Sequence, residues 1–138
     1  MNKYISLFLV FILITITLSV NAQSFYGSSG QNIGRVDSDG TIRNFNGSSI
    51  GKIDKEGIIR NSNGAQIGKI DNDGTIRNSN NSSIGKIESD GVVRDGSNRY
   101  LGKIENDGTV RNANGASIGK ASGISRQLAA VIFFLNLF

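Results

Sequence analysis

The chain has 138 residues, 15 basic against 11 acidic side chains, and no Cys, His, Trp or Pro. This leaves no disulfide framework and removes imidazole and thiol, the usual general base and soft nucleophile. The mild, well-mixed charge lacks the clustered basic footprint of a nucleic-acid binder, and none is expected as a partner.

The first element is a leader. Lys3 gives a positive start, Ile5 to Val20 is apolar apart from Ser and Thr, and Val20-Asn21-Ala22 offers the small residues of a cleavage site. Residues 1–22 are therefore expected to be a signal peptide and the protein to be exported, to the periplasm, the outer surface or the medium. No Cys lies near the cut, which excludes lipoprotein processing. Loss of Lys3 leaves 14 basic and 11 acidic residues.

From Gln23 to Gly123 the chain repeats with a period of seventeen residues. Ile33-Gly34-Arg35-Val36 returns as Ile50-Gly51-Lys52-Ile53, Ile67-Gly68-Lys69-Ile70, Ile84-Gly85-Lys86-Ile87, Leu101-Gly102-Lys103-Ile104 and Ile118-Gly119-Lys120-Ala121. A fixed period marks one small structural unit copied in space. Within a unit, Ile67–Asp71 and Thr75–Asn78 are β-prone stretches separated by Asn72-Asp73-Gly74. A three-residue hairpin with Gly at its third, positive-φ place would pair Ile70 with Ile76 and Lys69 with Arg77. One face is then apolar, the other charged. The return connections carry Asn46-Gly47, Asn63-Gly64 and Asn114-Gly115, which read as two-residue turns. Ser29-Gly30, Asn80-Asn81 and Ser97-Asn98 fill the same places less regularly.

Ser24-Phe25-Tyr26-Gly27 is a degenerate second strand and Ile118–Ala121 a first strand without a partner. These orphans are expected to pair and close the meander into a ring, removing its edges. Residues 124–138 form an apolar tail ending Leu128-Ala-Ala-Val-Ile-Phe-Phe-Leu-Asn-Leu-Phe138. As a plug it would add apolar mass to repeats that bury little of their own; as a peripheral anchor it would touch a membrane; as an assembly surface it would join copies. Ser125 would cap a short helix with Leu128, Ile132 and Leu135 on one side.

Asp37–Gly40 and Asp71–Gly74 share the opening of a calcium loop but lack its later ligands, and a tight turn calls for Asp and Gly in any case. The rows Arg35, Lys52, Lys69, Lys86, Lys103, Lys120 and Arg43, Arg60, Arg77, Arg94, Arg111 would suit a polyanion, yet each has a nearby carboxylate. Asn44, Asn61, Asn78 and Asn112 would suit sugar hydroxyls or, more simply, turn backbone. No residue is assigned as catalytic, cofactor-binding or metal-ligating, no cofactor is called for, and the chain is not read as an enzyme.

The tandem Ile-Gly-Lys-Ile-Asp/Glu-x-Asp-Gly-Thr-Ile-Arg-Asn units and the Phe-rich tail together resemble the 5-fold beta-flower proteins, small exported proteins of Bacteroidota-type bacteria. That resemblance implies hairpins arranged like petals around an axis, no established activity and no catalytic residues. The expectation is an all-β protein of tandem seventeen-residue antiparallel hairpins closed radially, flower- or propeller-like, with the tail packed on it. Five or six petals both fit the repeats. Its expected role is a structural or binding module of the cell envelope. The alternatives are a carbohydrate- or polyanion-binding module, with envelope polysaccharide as partner, and a membrane-associated protein held by the tail.

Overall fold

The computed structural model describes residues 23–138; the expected signal peptide, residues 1–22, lies outside them. Twelve short strands form one closed antiparallel barrel. They are β1 (Gln23–Gly27), β2 (Asn32–Val36), β3 (Thr41–Asn44), β4 (Ser49–Ile53), β5 (Ile58–Asn61), β6 (Gln66–Ile70), β7 (Thr75–Asn78), β8 (Ser83–Ile87), β9 (Val92–Asp95), β10 (Tyr100–Ile104), β11 (Thr109–Asn112) and β12 (Ser117–Ser122). Every strand pairs with its sequence neighbours, and β1 pairs with β12 to shut the ring. Five hairpins are thus contiguous in the chain. A sixth pair is assembled from its two ends.

The register is set by apolar pairs. Ile70 lies opposite Ile76 and Lys69 opposite Arg77, with the same arrangement at Ile53 and Ile59 and at Ile87 and Val93. Ile42, Ile59, Ile76, Val93 and Val110 are fully buried, and Ile70, Ile87 and Ile104 join them in the core. At the closing pair Phe25 faces Ala121. A large residue stands where the other pairs have Ile or Val and a small one where they have Val or Ile, so the layer stays filled.

Strict alternation would put Ile67 on the charged face with Lys69. A β-bulge prevents this. Ile59 pairs with Gly68 and Arg60 with Gln66, so Ile67 is the extra residue, and a bulge re-aims its side chain. The same shift recurs at Ile33, Ile50, Ile84, Leu101 and Ile118. All six are partly buried against the core.

The two ends of the barrel differ. One carries the five acidic turns, of which Asp71–Gly74 is typical. The amide of Gly74 donates to the Asp71 carbonyl (3.0 Å), that of Asp71 to the Thr75 carbonyl (2.8 Å), and Gly74 has φ +86°. This is the expected three-residue turn. The other end carries six return turns, and here the two-residue reading is corrected. The amide of Gly47 donates to Asn44 (3.0 Å) and that of Asn44 to Ser48 (3.0 Å), which encloses three residues. A two-residue Asn-Gly turn needs positive φ at both places; Gly47 has it and Asn46 does not. Asn63-Gly64 and Asn114-Gly115 follow the same pattern, and Asn81 and Asn98 take the left-handed place where Gly is missing.

After β12 the chain turns inward at the acidic-turn end, through the gap that a sixth acidic turn would fill. Helix α1 (Arg126–Ala130) is capped by Ser125, whose Oγ accepts from the Leu128 amide (3.2 Å). It continues into a wider π-helical turn, Val131–Leu135, and ends at Asn136 in the left-handed conformation. Leu128, Ala129, Ala130 and Val131 are buried.

Candidate functional site

Three surfaces were candidates for function: the barrel axis, the charged outer wall and the turn ends. The axis is where inward groups converge. Its lining alternates a layer of Ile and Val with a layer of six glycines, and the tail lies against that glycine layer. A Cβ on Gly51 would strike the Phe138 ring, one on Gly68 would meet Leu137 at 3.1 Å, one on Gly85 would meet Leu135 at 2.9 Å, one on Gly102 would meet Phe134 at 2.8 Å, and one on Gly119 would strike the Phe133 ring. The sixth, Gly34, is covered by the ring of Phe25. Five tail side chains and one strand side chain thus occupy the six places. Glycine in the Ile-Gly-Lys repeat makes room for the plug as well as for the backbone of the paired strand.

On the outer wall the second-strand arginines behave alike. Arg43, Arg77, Arg94 and Arg111 each donate through Nε to the carboxylate before the acidic turn, Asp37 (2.6 Å), Asp71 (2.7 Å), Glu88 (2.7 Å) and Glu105 (2.9 Å). Through Nη1 they reach the return turns, at Gly47, Asn81, Asn98 and Gly115. Arg60 departs from this. Among the described residues its only hydrogen-bond partner is the Gly64 carbonyl (3.3 Å). The reason is local. Elsewhere the residue before the turn glycine is Asp, and Asp39, Asp73, Asp90 and Asp107 accept from the amide two residues on. Here it is the longer Glu56, and Asp54 takes over by bending into the turn to accept from Glu56 (3.0 Å) and Ile58 (2.9 Å). The first-strand lysines are held less closely, although Lys86 and Lys120 still act on the charges of Asp73 and Asp107. Lys52 and Lys69 lie 3.9 and 3.8 Å from Asp39 and Asp71, whereas Lys86, Lys103 and Lys120 have no ion-pair partner among the described residues.

The repeated amides are tied up in structure. Oδ1 of Asn44 accepts from the amides of Asn46 and Ser48, and Asn61, Asn78 and Asn112 repeat this. Asp95 does the same and also pairs with Arg99 at 2.7 Å. Hydrogen bonds to the charged form hold several carboxyls below the ordinary range. For Asp37 the Arg43 guanidinium is the main cause; for Asp39, Asp73 and Asp107 it is the amide of Thr41, Thr75 and Thr109; for Asp95 it is the amide of Arg99.

A shallow cleft of about 290 Å³ lies between the acidic turns at Gly74 and Ser89, and another of about 300 Å³ between the turn at Gly108 and the entry of the tail at Gly123. Arg126 lines both. It donates to the Ser89 carbonyl (3.0 Å) and to Asn106 Oδ1, tying two turns together. Among the described residues no group of three or more acidic side chains is placed to hold a metal ion.

A ring of short hairpins shut by its own ends and filled by its own tail defines a class of repetitive closed-barrel proteins. Within it, the family model of the 5-fold beta-flower proteins matches residues 22–137, and the chain belongs to that family. No curated protein and no solved structure matches it.

Proposed function

We propose that this is an exported structural module of the cell envelope, built as a self-filled barrel in place of a ligand cup. The observation that carries this reading is the occupied axis. Small-molecule sites are concave and largely preformed, and the concavity of this ring is taken by Phe133, Phe134, Leu135, Leu137 and Phe138 of the same chain. The radial petals, the seventeen-residue unit and the packed tail form one device: each hairpin contributes a few core side chains and the tail supplies the rest. Export rests on the leader at residues 1–22. The repeated Asn and Asp oxygens support the same reading, because turn amides already engage them.

Calorimetric titration with lipid-free envelope polysaccharide and with heparin tests this reading. No saturable heat is expected. Saturable binding to either would replace the structural role with that of a polyanion- or carbohydrate-binding module, and Lys86, Lys103 and Lys120 would be the first residues to substitute. Fractionation of cells expressing the full chain should recover the protein outside the cytoplasm; retention inside would overturn export.

A further inference from the structure

Three return turns carry Asn followed by Gly at their tips: Asn46-Gly47, Asn63-Gly64 and Asn114-Gly115. All three asparagines are exposed, and the space beside each glycine is open where a side chain would stand. Asn is a chemically labile residue, and before Gly it is most open to attack by the next main-chain nitrogen, because glycine has no Cβ to crowd the approach. The attack needs a free amide. In these turns the amides of Gly47, Gly64 and Gly115 donate to the carbonyls of Asn44, Asn61 and Asn112, each at 3.0 Å. Local opening of the turn therefore sets the rate.

The three turns are not held equally. Arg43 donates Nη1 to the Gly47 carbonyl (3.0 Å) and Arg111 to that of Gly115 (3.1 Å). Each of these guanidiniums is fixed in turn at Nε by a carboxylate, Asp37 (2.6 Å) and Glu105 (2.9 Å). Arg60 reaches Gly64 at 3.3 Å and has no carboxylate behind it among the described residues, since Asp54 is engaged with the amides of Glu56 and Ile58. A guanidinium without a charge-assisted bond at Nε is a looser latch. Gly64 is also exposed, where Gly47 is half-buried. The remaining asparagines of the return turns are protected in other ways. Oδ1 of Asn44, Asn61, Asn78 and Asn112 each accepts from two amides, and Asn80, Asn81 and Asn98 precede residues that carry a Cβ.

We propose that Asn63 is a site of spontaneous deamidation in the folded protein and the first of the three to react. Hydroxide removes the Gly64 amide proton and the nitrogen attacks Cγ of Asn63. The N–Cγ bond forms, the Cγ–Nδ2 bond breaks, and the departing nitrogen takes a proton from water and leaves as ammonia. Water then opens the cyclic imide at either carbonyl, giving an aspartyl or an isoaspartyl residue at position 63. A carboxylate thereby enters the Asn-Gly turn whose arginine has no acidic partner. The cause lies at the far end of β5, where Glu56 draws Asp54 away from Arg60. This goes beyond the structural role proposed above and stands independently of it.

Peptide mapping by mass spectrometry tests it, on protein expressed as the full chain and held at mildly alkaline pH. Conversion at Asn63 should run roughly two- to five-fold ahead of Asn46 and Asn114, the factor set by loss of one exposed ion pair. In urea the three rates should draw together. Glu56→Asp restores the residue found at the other four acidic turns. It frees Asp54 to hold Arg60 and should slow Asn63 to the rate of the other two. Arg43→Gln removes the latch on Gly47 and should speed Asn46 roughly two- to five-fold. Both positions lie outside the core, so thermal melts of the variants should stay within a few degrees of the parent. Equal rates at the three sites in the folded protein, an order that persists unchanged in urea, or an Asn63 rate indifferent to Glu56→Asp overturns the proposal.

Discussion

Glycine in the acidic turn does two jobs, and comparing two glycines separates them. Gly74 has φ +86°, and a Cβ there would run into the carbonyl of Ile87, whose amide in turn donates to Gly74 O at 3.0 Å. Gly47 has φ +84° and open space around it. Gly47→Ala should therefore cost only the left-handed penalty, about 1–2 kcal/mol. Gly74→Ala adds a backbone collision between neighbouring hairpins and should cost roughly twice that or more. Urea unfolding measures both; equal losses would mean that the inter-hairpin contact contributes nothing. Carboxylates give the second prediction at this scale. Asp37, Asp39, Asp73, Asp95 and Asp107 have pKa values held below the unfolded value near 3.9. The unfolded chain then binds more protons in acid, so their contribution is complete above that value and is lost as pH falls below it. The chain has no His, so no side-chain transition is expected between about pH 5 and 8. Melting followed by circular dichroism should be level across that range and decline below about pH 4.

The hairpin and the tail are elements whose fit depends on what each leaves out. Gly85 lies 2.9 Å from Leu135 through the position a Cβ would take, and Arg94 O is 3.0 Å away. Gly85→Ala forces Leu135 aside, and Leu135→Ala leaves space over Gly85. Each alone should destabilise, by roughly 1–3 kcal/mol. Together they should cost less than their sum by about 0.5–1 kcal/mol, because the added methyl enters the vacated space; strict additivity in a double-mutant cycle would place the tail elsewhere. The pairing of Ile70 with Ile76 was legible because strand alternation and a glycine three places into the turn fix one register. The face of Ile67 was not, since alternation carries no mark of a bulge. Asn46-Gly47 serves a two- or a three-residue turn equally well, and only the hydrogen bond from Asn44 to Ser48 distinguishes them. The helix cap at Ser125 could be read, whereas the π-helical turn could not, because it follows from where the glycine ring puts its spaces. The departure at Arg60 had a signal in Glu56, one methylene longer than its counterparts.

Closure is a property of the whole molecule, and it hangs on its least repetitive strand. β1 pairs with β12 and β2, and the closing register sets Phe25 against Ala121 and Gly34. The other junctions lie between neighbours in sequence and form early at small entropic cost. The β1–β12 junction joins the two ends of the described chain and must wait for the rest. Removing residues 23–27 would take away Phe25, uncover Gly34 and Ala121, and turn β2 and β12 into free edges. The tail still fills the other five glycine positions, so most of the core survives. Unpaired edges in an otherwise folded sheet invite pairing with another chain. The truncated protein should therefore form dimers or larger species while keeping its strand content, and light scattering coupled to size exclusion distinguishes this from the monomer expected of the intact ring. A truncated form that stays monomeric and folded would show that the sheet tolerates opening and that the terminal strand is dispensable. Phe25→Ala, which keeps the β1 backbone and loses the ring over Gly34, separates the two contributions. It should lower stability by about 3–5 kcal/mol without causing association, since the edge remains paired.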